Sequence, residues 1–326
     1  MTSSDGAALV LGFPSSISEV VATELLESGM VVYLLLPQEF FAKAAHLKKR
    51  FGKQLQLTVG RGDYLDFGLG GQDYLKIARQ TGTVFSLYSA DEPRTGLDFQ
   101  SSHVRELVEF CKVAPGLSRL VLLSDFSFVG EFNGVVAERD WELPESSLRD
   151  REREFRTEKV LSRFLSTFPI SIVRVGTLVG TMSSLFPAVM LTLGYPELFS
   201  RSGVSIYLAE VTWTARRIVE IASKAEPGLT FHLFQKSCEP GALGMELMQR
   251  AMAQVPRTYD LRAAARKWLK NAGEARRQLA AAQIEAKVEN SWTNNYFRAH
   301  NFSVLEQSLN WQPLVEADVE KLTGFR

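Results

Sequence analysis

The feature that most constrains this chain is a series of strand-length, apolar-rich runs set at intervals, with helix-patterned segments between most of them. They fall at Ala7–Leu11, 30–36, Leu55–Val59, 83–88, 118–123, Ile170–Val175 and 230–234. A strand with one face in water alternates apolar and polar residues, whereas a strand covered on both faces does not need to. Near-continuous apolar strands separated by helical patterns, such as 17–26 after the first run and 209–222 before the last, therefore predict an α/β architecture. The expected fold is a Rossmann-like, doubly wound parallel sheet.

Length sets the scale. A chain of 326 residues can bury a large core without covalent staples. Its two cysteines, Cys111 and Cys238, are too few for a disulfide framework, and both are expected to be reduced thiols. The four histidines, His46, His103, His232 and His300, are scattered without metal-ligand spacing, so no metal site is expected. Lysine plus arginine equals aspartate plus glutamate, 37 against 37, so no global field would draw the chain onto nucleic acid or an anionic membrane. No run approaches the ~18–20 apolar residues of a membrane span. The first eight residues carry no basic segment ahead of their apolar stretch, so no secretory leader is expected and the expected compartment is the cytoplasm.

Past Cys238 the character changes. Residues 261–289 are rich in alanine, arginine and lysine and weak in strand signal, which predicts a small, mostly helical C-terminal lobe. We expect residues 1–175 to form the Rossmann-like part and residues 176–326 a smaller lobe interleaved with the last strands of the sheet. The basic residues Arg262, Arg266, Lys267, Lys270, Arg276 and Arg277 read as a solvated helix face.

Several strings, collinear along nearly the whole chain, resemble the extended short-chain dehydrogenase/reductases, and among them the thioester and fatty acyl reductase-like branch. Residues 59–65 (VGRGDYL), followed by Phe67-Gly68-Leu69-Gly70, are similar to that branch's "GDL...LGL" after the third strand. Residues 120–130 (LVLLSDFSFVG) resemble its fifth strand, and residues 174–180 (RVGTLVG) the "RPGxxxG" after the sixth. Residues 302–313, with Leu309, Trp311 and Pro313, look like its closing segment. The resemblance implies NAD or NADP as cofactor, a thioester, acyl or polyketide-like substrate, and a homodimer joined through helices that flank the sheet.

The departures fall where the chemistry would be done. A Tyr-x-x-x-Lys in this family donates the proton, since residues i and i+4 share a helix face and the ammonium lowers the phenol's pKa. The matching string here is Phe155-Arg156-Thr157-Glu158-Lys159, so Lys159 is kept and Phe155 has no hydroxyl. None of the eight tyrosines is followed four residues on by lysine. Asp125 stands where the family has the Ser or Thr that bonds the substrate carbonyl, with Ser124 adjacent. A carboxylate there would oppose a developing alkoxide. His103 takes the place of the family's helix asparagine.

The cofactor loop differs too. The family's G-x-x-G-x-x-G reads Gly12, Ser15, Ser18, which sets a side chain where backbone should approach a pyrophosphate and where helix should pack closely on strand. Residues 16–19 (SISE) have capping-box spacing, so Ser16 is expected to cap the helix with Glu19 reaching back, which would make a poorer diphosphate site. Pro37 and Gln38 stand where a ribose-binding acid or a phosphate-binding arginine is expected. Asp63, which the resemblance places against adenine, is kept.

Two readings follow. The first is a catalytically degenerate homologue kept as a binding, scaffolding or regulatory protein, with weak NADP or NAD binding or none, and with a protein or a small hydrophobic or acyl ligand as partner. Residues 182–195, apolar and set where the family's substrate lid lies, would line such a pocket. The second is a working NAD(P)H-dependent reductase or epimerase that draws its proton from water, Asp125 or Lys159. Proton donation is typically worth ~10²–10⁴ in rate, and here it is altered together with the carbonyl-binding residue and two loop glycines. Phe155→Tyr combined with Asp125→Thr is accordingly expected to show no NADPH-dependent reduction of aldehydes or thioesters above background. Measurable turnover would mean that Ser15 and Ser18 matter less than argued.

Overall fold

A computed structural model describes residues 6–88, 97–129, 134–139, 158, 160–179, 204–239, 242–243 and 287–303. Phe155, Lys159, Gly130, Gly180, the apolar stretch 182–195, the basic stretch 262–277 and the closing residues Leu309, Trp311 and Pro313 lie outside them.

In chain order the elements are β1 (Ala7–Leu11), α1 (Ser16–Glu27), β2 (Val32–Leu36), α2 (Phe41–Phe51), β3 (Leu55–Val59), α3 (Gly71–Gln80), β4 (Thr81–Ser86), α4 (Leu97–Val113) and β5 (Arg119–Asp125). There follow β6 (Val135–Val136), β7 (Ile170–Val175), β8 (Thr177–Val179), β9 (Ile206–Glu210), α5 (Val211–Lys224), β10 (Thr230–Leu233), β11 (Lys236–Cys238), β12 (Lys287–Val288) and α6 (Ser291–Ala299).

Among the described residues, seven strands form one sheet in the order β3-β2-β1-β4-β5-β7-β10, and every pairing in it is parallel. This is the doubly wound sheet that the apolar runs predict. Chain order reverses between β1 and β4, and in such sheets the crevice outside the carboxyl ends at that switch point is where ligands bind. One face is covered by α1, α2, α5 and α6, whose Val21, Leu25, Leu47, Ile218 and Phe297 pack on Val10, Leu34, Val121 and Val173. The other is covered by α3, α4 and the segment around Leu161, which meet Leu9, Leu35, Leu122 and Ile172. A second small sheet, β11-β9-β8, and the parallel pair β12–β6 stand beside it. The two- and three-residue strands among them give little sequence pattern, and β9, although five residues long, is likewise absent from the sequence reading.

One polar network crosses this apolar interior. Arg174, on β7, is 0% exposed, and a guanidinium taken out of water needs a compensating charge. Its Nε and Nη2 donate to Glu158 Oε2 at 2.9 and 2.8 Å. Nη1 donates to Nε2 of His232 on β10 at 3.1 Å. His232 Nδ1 in turn donates to the Glu289 carbonyl at 2.6 Å, and its backbone N–H to Thr293 Oγ1 at 3.0 Å. The network ties β7, β10 and α6 into one unit. Glu158 Oε1 has no hydrogen-bond partner among the described residues, so the pair depends on one doubly used oxygen.

Breaking such a pair strands a charge in the core, while replacing both partners by apolar groups does not. Arg174→Met is expected to lower unfolding stability by about 3–5 kcal/mol, read from urea melts. The double variant Arg174→Met with Glu158→Leu is expected to lose clearly less. Equal losses would show that the ion pair is not what the single variant breaks.

Candidate functional site

At the switch point, β1 and β4 end side by side. Leu87 N–H donates to the Leu11 carbonyl at 3.1 Å, and Gly12 follows with φ +98°. A Cβ on Gly12 would lie 2.6 Å from the Leu87 carbonyl carbon and oxygen. Glycine is therefore demanded here by the neighbouring strand as well as by its own left-handed backbone, and its presence does not by itself argue for a cofactor.

The first turn of α1 is closed by two serines. Ser15 is the N-cap: its Oγ accepts from Ser18 N–H at 3.3 Å and donates to Ser18 Oγ at 3.0 Å. Ser18, fully buried, returns its own hydroxyl to the Ser15 carbonyl at 2.8 Å. The expected capping box does not form. Ser16 lies one residue inside the helix, and the Glu19 carboxylate turns away to His46 Nε2 on α2 at 3.1 Å. The physical reason is that Ser15, not Ser16, has the extended backbone of a cap (φ −67°, ψ 152°). The helix N-terminus is thus capped by a neutral hydroxyl, and the first-turn Glu19 carboxylate does not bond the N–H groups of its own cap.

The loop after β3 forms the next wall. Arg61 sits 39% exposed and clasps Asp63, 13% exposed, with Nε to Oδ1 at 3.1 Å and Nη2 to Oδ2 at 2.9 Å. Its Nη1 donates to Tyr64 Oη at 3.1 Å, and the guanidinium carbon stands 4.3 Å from the centre of the Tyr64 ring. The Asp63 side chain holds the Arg61 guanidinium above its usual pKa through that hydrogen bond, against the opposing effect of burial. Gly62, between them, packs so closely on Tyr88 that a Cβ would lie 2.6 Å from its Oη. Further along, Asp66 and Phe67 hold left-handed backbone (φ 50° and 57°), fixed by the Asp66 N–H bond to buried Glu106 Oε2 at 3.0 Å and by full burial of Phe67.

His103, on α4, joins this loop to the sheet. A carbonyl only accepts, so Nδ1 carries the proton that it gives to Gly62 O at 2.8 Å, which leaves Nε2 to accept from Ser86 Oγ at 2.7 Å. The Tyr88 ring meets the imidazole edge-on at 4.8 Å. Burial pushes His103 down to about 4, against the opposing pull of the Gly62 bond and of Asp63. His232 is pushed down to about 3 by burial and then by the Arg174 charge.

Ser124 and Asp125 end β5, registered against Arg174 and Val175 of β7. Successive strand residues face opposite ways. Asp125 thus shares a face with Leu123 and Val175, toward α1 and α5, whereas Ser124 shares one with Arg174 and His232. The fold brings Gly12, Ser15 and Ser18 together, puts Asp63 in the grip of Arg61, and separates Ser124 from Asp125 by the thickness of the sheet. Immediately after β5, Phe126 is buried edge-on against Tyr207, His232 and Phe234, with ring centres 5.1–5.9 Å apart.

The sequence reading contains neither the Arg61–Asp63 clasp nor the Ser86–His103–Gly62 chain. It also lacks the Glu158 partnership, which one signal could have given: an arginine inside the otherwise buried strand 170–175 requires an acid nearby. Among the described residues no group of three or more His, Cys, Asp or Glu could hold a metal, and no helix is long and apolar enough to cross a membrane.

No family model matches the sequence, and no curated protein matches it. Solved structures do share its fold. The terminal R domain of the myxalamid PKS-NRPS biosynthetic pathway superposes with a TM-score of 0.68 at 13% identity, covering 98% of this chain and 90% of that one. Vestitone reductase from alfalfa (Medicago sativa L.) gives 0.65 at 14% identity, over 98% of this chain and all (100%) of that one. Gre2 from Candida albicans, solved in complex with NADPH, gives 0.62 at 15% identity, over 92% and 94%. The chain therefore shares the fold of these proteins, the doubly wound parallel sheet that its apolar runs predict.

The two buried imidazoles contribute to the acid response. Both are neutral in the fold and lie below the ordinary 6.5, so the unfolded chain takes up their protons near that pH while the folded chain does not. Their contribution is fully present above about pH 6.5 and falls as pH drops toward about 4, by roughly 1.4 kcal/mol per pH unit for each imidazole. His103→Asn is expected to flatten the fall in urea-melt stability between pH 6.5 and 5 by about one proton. An unchanged slope would mean that His103 is not held neutral.

Proposed function

We propose that this protein binds a ligand in the reductase-type crevice without catalysing hydride transfer, serving as a binding, scaffolding or regulatory member of the fold. The observation that carries the reading is that none of the eight tyrosines heads a Tyr-x-x-x-Lys, so the scaffold has no ready phenol to protonate the carbonyl oxygen that a hydride would reduce. Phe155 and Lys159 are the proposed remnant of that pair, and Ser124 and Asp125 the proposed remnant of the carbonyl-binding position.

The crevice supports the same reading. Ser15 and Ser18 satisfy one another, Asp63 is clasped by Arg61, and the Tyr88 ring packs on Gly62. These side chains already have internal partners, so a dinucleotide that used them must displace bonds that a glycine-rich loop would not have made. NADP or NAD binding is accordingly weak or absent. We further propose that residues 1–175 make the nucleotide-binding-type part and residues 176–326 the lobe that would cover a small hydrophobic or acyl ligand.

A second reading has two observations in its favour. The N-terminus of α1 is capped by the neutral Ser15 hydroxyl, with the first-turn Glu19 carboxylate turned to His46, and Gre2, which shares the fold, was solved with NADPH. On that reading the protein reduces or epimerises a thioester, acyl or polyketide-like substrate with water, Asp125 or Lys159 as the proton donor. Thermal unfolding in millimolar NADPH and NADH separates the two. The first reading predicts no saturable rise in Tm, or a small one without oxidation of the cofactor. A saturable rise accompanied by NADPH oxidation would favour the second.

A further inference from the structure

Arg61 spends its guanidinium within its own loop. It precedes Gly62 and Asp63 at the carboxyl end of β3, and all three guanidinium nitrogens are used: two on the Asp63 carboxylate and one on Tyr64 Oη. The loop that carries it is pinned against the crevice. The Gly62 carbonyl is held by His103, the Gly62 backbone is packed under the Tyr88 ring, and Tyr88 directly follows β4 at the switch point. Asp63 is close enough to His103 to act on it electrostatically. It is therefore a carboxylate at the rim of the crevice, only 13% exposed, whose two oxygens are both committed to a side chain two residues away.

In a doubly wound sheet the phosphates of a nucleotide sit at the first helix N-terminus, and the sugar and base extend past the ends of the second and third strands. A carboxylate there can accept from the exocyclic amine of a base. A guanidinium fork matches a carboxylate with two parallel bonds and competes directly for those oxygens.

We propose that Arg61 is a built-in occupant of the base end of this crevice, filling on Asp63 the place of the exocyclic amine of a purine nucleotide. The proposal deepens the reading of the crevice as a binding site without turnover. It makes that site self-closed: a purine nucleotide enters only when Arg61 lets go of Asp63, and anything that draws Arg61 away, such as an acidic segment of a partner, opens it. The pair is partly in water, so the closure is modest in strength and can be reversed.

The test titrates AMP calorimetrically into the wild-type protein, Arg61→Ala, and Arg61→Ala with Asp63→Asn, with thermal melts to confirm that each is folded. Arg61→Ala is expected to bind AMP at least about threefold more tightly than wild type, as fits a partly screened pair. The double variant is expected to lose that gain. Should Arg61→Ala not fold, Arg61→Lys keeps the charge without the fork and is expected to show the same direction of change. A gain of less than threefold, or weaker binding than wild type, overturns the proposal. So does a gain that survives Asp63→Asn. Hydride transfer by the wild type would sink the non-catalytic reading and leave this comparison standing, whereas an absent gain sinks only the role of Arg61.

Discussion

A carboxylate drawn out of water must find a donor, and the way Asp63 finds one governs how the crevice of this protein is read. Arg61, two residues earlier, supplies both donors and anchors itself on Tyr64. The same solution recurs across the molecule. Ser15 and Ser18 exchange hydroxyl bonds, His103 bridges Ser86 and Gly62, and Glu158 takes the charge of Arg174. In each case a polar group that a ligand would otherwise satisfy, or that burial would otherwise penalise, is answered from within. The result is a doubly wound sheet whose rim is bonded to itself at each of these points.

That frame was largely legible in the sequence. The strands at Ala7–Leu11, Leu55–Val59 and Ile170–Val175 have the bounds their apolar runs predict; the first and last are buried along nearly their whole length, whereas β3, at the sheet edge, is mostly half-buried and exposes Val59. Others shift at their ends for identifiable reasons. The second run begins at residue 30 in the sequence but β2 spans Val32–Leu36: the Met30 N–H is still bonded to the Leu25 carbonyl of α1 at 3.1 Å, and Val31 meets β1 through its carbonyl, which accepts from Ala8 N–H at 2.9 Å. The fourth begins two residues before the expected position, at Thr81, whose hydroxyl bonds the Ile77 carbonyl and so carries helix α3 directly into strand β4. The small sheets were illegible because two- and three-residue strands such as β6, β8 and β12 have no period to detect.

The bonds of the proposed site were not legible. Gly12, Ser15, Ser18 and Asp63 are the positions the resemblance implies, yet spacing could not say that Ser15 rather than Ser16 would cap α1, because capping depends on which residue takes extended backbone. Nor could it say that Asp63 would be claimed by Arg61, since residues two apart meet only where a turn brings them together. Ser124 and Asp125 are neighbours in sequence but face opposite sides of the sheet. A sequence reading treats them as one position, and the fold makes them two.

Central is the proposal that the scaffold keeps the fold of a reductase without the means of delivering a proton beside a hydride. Its most direct test is isotopic: incubate the purified protein with NADPH deuterated at the transferred position and a panel of aldehydes and acyl thioesters, then look for deuterium in the products by mass spectrometry. The account predicts no incorporation above a control without protein. A deuterated alcohol or aldehyde formed in proportion to protein concentration would contradict it.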